Sequence, residues 1–296
     1  MARLYPLLIL AVSACAGPAL LNSVARNPDR GTEVVADIAY GEAARQRLDL
    51  YLPSDAAPGT PGDRPVLMFV HGGSWTDGDK DAYAFAGKRF ASEGFVTSVP
   101  SYRVLPEHDY DDFMADMASA LATTMREAGG RGGDPERVFL VGHSAGAYNV
   151  VQLALAPEFL AEAGLTPDAI SAVAGLSGPY NFLPLDPGVT QDAFGGADDL
   201  DATQPVNRVA EGAPPMLLVT GTDDTVVRPR NADALAARLE AVGTPAQVVR
   251  YEGADHVKPV VAIAFPRRLP VVADITDFFA EHGSGLPPSR PVGNGS

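Results

Sequence analysis

Residues 138–150 read Val-Phe-Leu-Val-Gly-His-Ser-Ala-Gly-Ala-Tyr-Asn-Val, an apolar run that passes through Gly142-His143-Ser144-Ala145-Gly146 into a stretch of helix formers. Arg137–Val141 has the β-branched, apolar pattern of a buried strand, and Ala145–Ala156 the composition of a helix. Ser144 therefore falls on the turn between a strand and a helix. Gly142 and Gly146 stand two residues to either side, where a Cβ would crowd so tight a turn. A serine hydroxyl is a weak nucleophile unless such a turn lifts it clear of the backbone and a base takes its proton. The pattern is that of a nucleophile elbow. It calls for three further parts: donors for a developing oxyanion, an imidazole, and a carboxylate to orient that imidazole.

The donors are expected upstream. Pro65–Val70 reads as a buried strand and breaks into His71-Gly72-Gly73-Ser74-Trp75. Small residues just after a central strand let backbone N–H groups face a cleft. The N–H groups of Gly73 and Ser74, with that of Ala145 after the nucleophile, are the expected oxyanion hole. Five histidines are available. His71 belongs to the oxyanion loop, where its ring is expected to brace the loop. His143 precedes the nucleophile, so its side chain should diverge from that of Ser144. His108 lies in a loop before a helix, and His282 is close to a polar tail. His256 remains, in Tyr251-Glu-Gly-Ala-Asp-His, directly after the strand-like Ala246–Tyr251. Between nucleophile and histidine, the strand-like Met216–Thr220 ends in Gly221-Thr222-Asp223-Asp224-Thr225-Val226-Val227. Adjacent aspartates point differently, so only one of the two can reach His256.

These stretches resemble the α/β-hydrolase superfamily, in its small carboxylesterase, feruloyl-esterase-like and hormone-sensitive-lipase-like branches. The resemblance rests on His71–Trp75, Ser101-Tyr102-Arg103-Val104-Leu105-Pro106-Glu107, Gly132-Gly133-Asp134-Pro135, Gly142–Gly146, the Asp224 turn and His256, and spans about residues 33–281. It implies a mostly parallel eight-stranded sheet flanked by helices, with no cofactor; a metal is not expected, for want of regular ligand spacing. It also favours Asp224 as the acid, because the Thr-Val-Val after it resembles the superfamily's acid turn; Asp223 is the reserve. Asp116 is expected to serve structure. One departure is the loop His-Gly-Gly-Ser-Trp in place of His-Gly-Gly-Gly, closer to kynurenine-formamidase-like and isoprenylcysteine-methylesterase-like hydrolases. The resemblance implies a serine ester hydrolase that uses Ser144, His256 and Asp224 on a small-molecule ester, with short acyl or small aromatic groups. The triad alone does not choose between ester and amide, so an arylformamidase or amidase is the alternative. A non-catalytic, hydrolase-shaped binding protein is the reading from a different class.

The 296 residues suit one large α/β domain with short appendages, and 46% apolar content is ample for its core. Strands are expected near Glu33–Ala39, Arg47–Leu52, Val66–Val70, Phe95–Pro100, Arg137–Val141, Ala169–Leu176, Met216–Thr220 and Ala246–Tyr251, the first two as an antiparallel edge hairpin. Helices fit near Lys80–Ser92, Tyr110–Ala128, Ala145–Ala156, Asn231–Val242 and Val271–Glu281. The Asp-, Gly- and Pro-rich stretch from Pro179 to Ala213 is expected as an irregular, solvated roof over the cleft, and its aspartates lack metal-ligand spacing. A net charge of −15 repels nucleic acid and gives no attraction to anionic lipid. At the N-terminus, Arg3 precedes the apolar Leu4–Val12 and then Ser13-Ala14-Cys15. That run is too short to span a bilayer but fits a secretory signal. Small residues before the lone cysteine resemble a bacterial lipobox, so Cys15 is the candidate lipidation site and the sole membrane contact expected. The expected organisation is a signal segment over 1–15, a tether over 16–32, a catalytic domain over 33–282 and a disordered tail over 283–296. The expected location is the cell envelope, lipid-anchored, or secreted.

Overall fold

Runs of Val, Leu, Phe and Met that stay apolar on every residue belong to strands covered on both faces. The computed structural model, which describes residues 31–54 and 62–283, places them at the centre of one sheet. Its strands are β1 (Glu33–Ala39), β2 (Arg47–Leu52), β3 (Arg64–Val70), β4 (Val96–Pro100), β5 (Gly133–His143), β6 (Ala172–Leu176), β7 (Met216–Gly221) and β8 (Ala246–Tyr251). They lie in the order β1-β2-β4-β3-β5-β6-β7-β8. β2 runs antiparallel to both β1 and β4, and every other neighbouring pair is parallel. The mostly parallel eight-stranded sheet and its edge hairpin are as the sequence led one to expect.

Alternation along β3 and β5 divides the core in two. Val66, Met68, Val70, Val138 and Leu140 face one layer, built from α2 (Tyr110–Gly129), α3 (Ala145–Leu155) and α7 (Arg230–Ala241). Leu67, Phe69, Phe139 and Val141 face the other, built from α1 (Ala84–Ser92), α8 (Lys258–Ala264) and α9 (Val271–His282). Three short helices complete the described residues: α4 (Pro157–Glu162), α5 (Val189–Phe194) and α6 (Pro205–Arg208).

The differences from expectation have local causes. The helix expected from Lys80 begins at Ala84, because the Lys80 N–H donates to Ser101 Oγ (2.9 Å) and Asp79 Oδ1 accepts from the Ala82 N–H (2.7 Å). Residues 80–83 thus make a turn that plants Lys80 among Asp81, Asp37 and Asp49 at 2.7, 2.9 and 3.0 Å. The helix after Ser144 ends at Leu155, since Pro157 forces Ala156 out of helical geometry and then starts α4. β6 begins at Ala172 rather than Ala169, because Pro167–Ala169 is a 3-10 turn. The roof is not irregular throughout. It holds α5 and α6, and Phe194 is buried edge-on against Trp75 at a centroid distance of 4.9 Å. Cys15, the apolar Leu4–Val12 run and all of the tail but Gly283 fall on 1–30 and 284–296, outside the described residues.

Six parallel strands send their carboxyl ends to one edge, where ligands bind in open α/β sheets. The loops that leave β3, β5, β7 and β8 there carry Gly72–Trp75, Ser144, Asp224 and His256.

Candidate active site

Ser144 joins β5 to α3 with φ +54° and ψ −121°, a conformation that costs a residue with a Cβ about 1–3 kcal/mol. Its N–H donates to Leu176 O on β6 (2.8 Å), and its carbonyl accepts from the Tyr148 N–H (3.1 Å). The two glycines allow contacts that no side chain would. A Cβ on Gly142 would lie 2.2 Å from Gly146 O, and one on Gly146 would lie 2.2 Å from Val70 O. The start of α3 therefore rests directly on the end of β3. That brings the loop after β3 against the serine, with a Cβ on Gly72 falling 3.1 Å from Ser144 Cβ.

His256 Nε2 lies 2.9 Å from Ser144 Oγ, and its Nδ1 lies 2.8 Å from Asp224 Oδ2. A carboxylate only accepts, so Nδ1 carries the proton and Nε2 accepts from the serine hydroxyl. The other Asp224 oxygen accepts from the N–H groups of Val226 (3.0 Å) and Val227 (2.8 Å). Burial alone would raise this carboxyl. The hydrogen bond and charge of His256, with the N–H groups of Val227 and Val226, outweigh it and hold Asp224 below its ordinary value. Asp223 is exposed; its N–H donates to Ala254 O (3.0 Å), and its carboxylate accepts from the Thr222 hydroxyl (3.3 Å). Of the two aspartates, Asp224 is the one that meets His256.

Gly73, Ser74 and Trp75 run consecutively at positive φ: +130°, +53° and +58°. A Cβ at Gly73 would lie 2.1 Å from Asp77 O, so this turn needs glycine. The far side of the loop is pinned. Gly73 O accepts from the Thr76 and Asp77 N–H groups (both 3.0 Å), and Trp75 Nε1 donates to Asn149 Oδ1 on α3 (3.0 Å). Beneath it His71 donates from Nδ1 to Gly72 O (2.8 Å) and stacks on Tyr102 with ring centroids 4.4 Å apart. Burial lowers its pKa to about 4, so it is neutral at pH 7. Arg45 ties Tyr102 O (2.7 Å) to Gly78 O at the end of the loop. Among the described residues the Gly73 and Ser74 N–H groups donate none of the loop and turn hydrogen bonds. Ala145 is the first residue of α3, where N–H groups have no partner within the helix. The loop packed against Ser144 thus leaves two N–H groups out of its own hydrogen bonds, and Ala145, next in the chain, is at the helix start. Beside that loop opens a cleft of about 590 Å³ lined by Thr76, Leu105, Pro106 and Asp192.

The remaining sequence candidates lie elsewhere. His108 pairs with Asp112 at 2.9 Å, and His282 packs on Phe278. Asp116 is fully buried and accepts from the backbone and guanidinium of Arg103 and from Gln46, a structural use. Sequence reasoning missed Asn149, whose signal was a polar residue, with Gln152, on a mostly apolar helix. It also missed the engagement of His143, whose Nε2 lies 3.1 Å from His256 O.

Comparison with known proteins agrees with this architecture. The BD-FAE family model matches residues 48–239. A probable isoprenylcysteine alpha-carbonyl methylesterase of Arabidopsis thaliana is 30% identical over 242 residues, 74% of this chain and 50% of that protein. Esterase LipC of Mycobacterium tuberculosis is 30% identical over 224 residues, 69% of this chain and 55% of that one. The chain spans about half the length of the curated relatives it matches. Among solved structures, a phosphonate-inhibited esterase B of Lactobacillus rhamnosis superposes with a TM-score of 0.77 at 22% identity, covering 90% of each chain. That likeness fixes the fold as the α/β-hydrolase fold. With the family model covering 48–239, most of the sheet and its intervening helices, the chain belongs to the BD-FAE family.

Proposed function

We propose that this protein is a serine carboxylic-ester hydrolase acting on short acyl or small aromatic esters through an acyl-enzyme. The observation that carries the reading is the unbroken line Ser144 Oγ, His256, Asp224, with hydrogen bonds of 2.9 and 2.8 Å. Ser144 Oγ attacks the ester carbonyl carbon while His256 Nε2 takes its proton. Asp224 keeps the imidazole in the accepting tautomer and stabilises the imidazolium. The N–H groups of Gly73, Ser74 and Ala145 receive the oxyanion, a role in which removing one donor typically costs about 3–4 kcal/mol of barrier. His256 returns the proton to the leaving alcohol, and a water activated by the same Nε2 releases the acid. The names of the Arabidopsis and Mycobacterium relatives support ester over amide. The roof aromatics Phe182 and Phe194, which pack on Tyr148, support a small substrate.

The test compares the wild type with Ser144→Ala on p-nitrophenyl esters of increasing acyl length, alongside N-formylkynurenine and a fluorophosphonate probe. The wild type should label at Ser144 and turn over the shortest esters best. Ser144→Ala should lose labelling and at least about 10³-fold in kcat, with an unchanged unfolding midpoint. A loss smaller than tenfold would overturn the serine mechanism, and faster turnover of the formamide would move the protein to the amidase class.

The lipid anchor at Cys15 is part of the same proposal. It is supported by the Leu4–Val12 run ending in Ser13-Ala14-Cys15 and places the enzyme at the cell envelope. One acyl chain binds only marginally, so stable anchoring draws on the several chains of lipoprotein processing. Cys15→Ser should release the enzyme from the membrane fraction with specific activity unchanged; wild-type protein recovered unlipidated would refute the anchor.

A further inference from the structure

β8 is the edge strand of the sheet, whereas the nucleophile leaves β5, three positions inward. At about 4.8 Å per strand, the base has to be carried back roughly 14 Å from where its own strand ends. Four residues separate Tyr251, the last of β8, from His256. Part of the return is tied to the end of β7: Thr222 N–H donates to Tyr251 O (3.0 Å), Asp223 N–H to Ala254 O (3.0 Å) and Gly253 N–H to Thr222 Oγ1 (2.8 Å). These bonds bring the loop over β7 and stop two strands short of Ser144.

Asp224, on the turn after β7, holds the ring at Nδ1 (2.8 Å); the tie on the backbone of His256 comes from β5 itself. His143, the last residue of that strand and the neighbour of Ser144, has Nε2 3.1 Å from the backbone carbonyl of His256. A carbonyl only accepts, so the proton of His143 is on Nε2, which donates it. Nδ1 is then a bare acceptor, buried and without a hydrogen-bond partner. It lies under the oxyanion loop, 3.1 Å from where a Cβ on Gly72 would sit. The ring is tilted 44° to that of His256, and the two centroids stand 5.2 Å apart. Burial, and then the nearby His256, lower its pKa to about 3, so it stays neutral and adds no repulsion when His256 is protonated.

We propose that His143 is the positioning residue of the site: it clamps the His256 carbonyl to the nucleophile strand and so sets the separation of His256 Nε2 from Ser144 Oγ. The circuit is short and closed. It runs from Ser144 along the chain to His143, across Nε2–H to His256 O, and from His256 Nε2 back to Ser144 Oγ. An apolar filler would remove the orphaned acceptor at Nδ1, so packing alone gives no reason for an imidazole here. The inference rests on the serine-hydrolase reading above and adds a residue to it.

The experiment compares His143→Leu and His143→Gln with the wild type in steady-state hydrolysis of p-nitrophenyl acetate and in the rate of fluorophosphonate labelling. Glutamine places an amide N–H where the imidazole Nε2–H stood; leucine fills the space without a donor. His143→Leu should lose 10- to 100-fold in kcat and in labelling rate, with KM within about threefold and the fold retained by circular dichroism. His143→Gln should recover at least a third of wild-type kcat. Leucine at wild-type kcat, or glutamine no better than leucine, would overturn the clamp. Should leucine fail to fold, ¹⁵N-histidine spectra of the wild type decide: one neutral ring protonated on Nε2 from pH 5 to 9 supports the clamp, and protonation on Nδ1 refutes it. Absence of any labelling or turnover in the wild type would instead remove the proposed function, leaving this ring's proton to be read by the same spectra.

Discussion

Asp223 and Asp224 carry the same side chain one residue apart, and their surroundings set them apart. Asp224 faces inward to His256 Nδ1 and takes two backbone N–H groups on its other oxygen, while Asp223 lies in solvent against Thr222. Asparagine at 224 would still fill the space, but its amide N–H could serve the imidazole only in the tautomer whose proton sits on Nε2, where it would block the base of the proposed mechanism. Asp224→Asn should therefore lower kcat by about 10⁴-fold, whereas Asp223→Asn should stay within about threefold of wild type. Steady-state kinetics on one ester decide it, and reversed severity would move the acid to Asp223. The same contrast sets the limit of sequence reading at this scale. The three side chains of the line could be chosen from their places after strands and, for the acid, from a resemblance; they lie within hydrogen-bond reach of one another. Nothing local announced that His143 would grip the His256 backbone 113 residues away, or that Asn149 would hold the Trp75 indole. Those are consequences of how strands are ordered, which one residue's neighbours do not record.

Among the elements, the decisive joint is the close approach of α3 to β3. It exists because Gly146 has no Cβ: one would lie 2.2 Å from Val70 O and 2.4 Å from His71 O, both rigid backbone. Gly164 makes the contrast, with φ +74° and no atom within 4 Å of where a Cβ would sit. Gly164→Ala should cost only the conformational penalty, about 1 kcal/mol. Gly146→Ala has to push α3 off the sheet and should cost more than about 3 kcal/mol, or abolish folding. Urea unfolding of both variants tests the pair; equal costs would mean that the contact is slack. Elements with a strong period or a long apolar run, such as β3, β5, β7, α2 and α9, were legible from the sequence to within a few residues. α5 and α6 were not, since six and four residues are too short to carry a helical period. α8 was hidden for another reason: Val260 to Ala264 is apolar throughout and buried but for the half-buried Val261, with Pro259 in the first turn and Asp255 accepting from the Val257 and Lys258 N–H groups. An apolar run of that length does not by itself separate strand from helix.

For the molecule as a whole, the two neutral histidines that support the site set a cost in acid. His71 and His143 have pKa values lowered by burial to about 4 and about 3, whereas in the unfolded chain both titrate near 6.5. Above that pH neither state binds the proton, and the histidines leave stability untouched. As pH falls below about 6.5, the unfolded chain takes up two protons that the folded protein refuses, so stability is lost from there down through the folded values. The limiting slope is about 1.4 kcal/mol per pH unit for each ring. A second effect has the opposite sign. The net charge of −15 shrinks as pH approaches the isoelectric point near 4.6, which relieves self-repulsion. That term acts between exposed charges and is screened beyond about 8 Å at 0.15 M salt, whereas proton uptake by the unfolded histidines is not, so the loss should win. Urea denaturation followed by circular dichroism in 0.15 M salt should therefore show stability falling between pH 6 and pH 5, before most carboxylates titrate. His143→Gln should reduce that slope by about half, because one of the two refused protons is gone. A wild-type stability that is flat or rises over this interval would mean that the rings accept protons in the folded state or that the relief of self-repulsion outweighs their refusal, and a slope unchanged in His143→Gln would assign it to the latter.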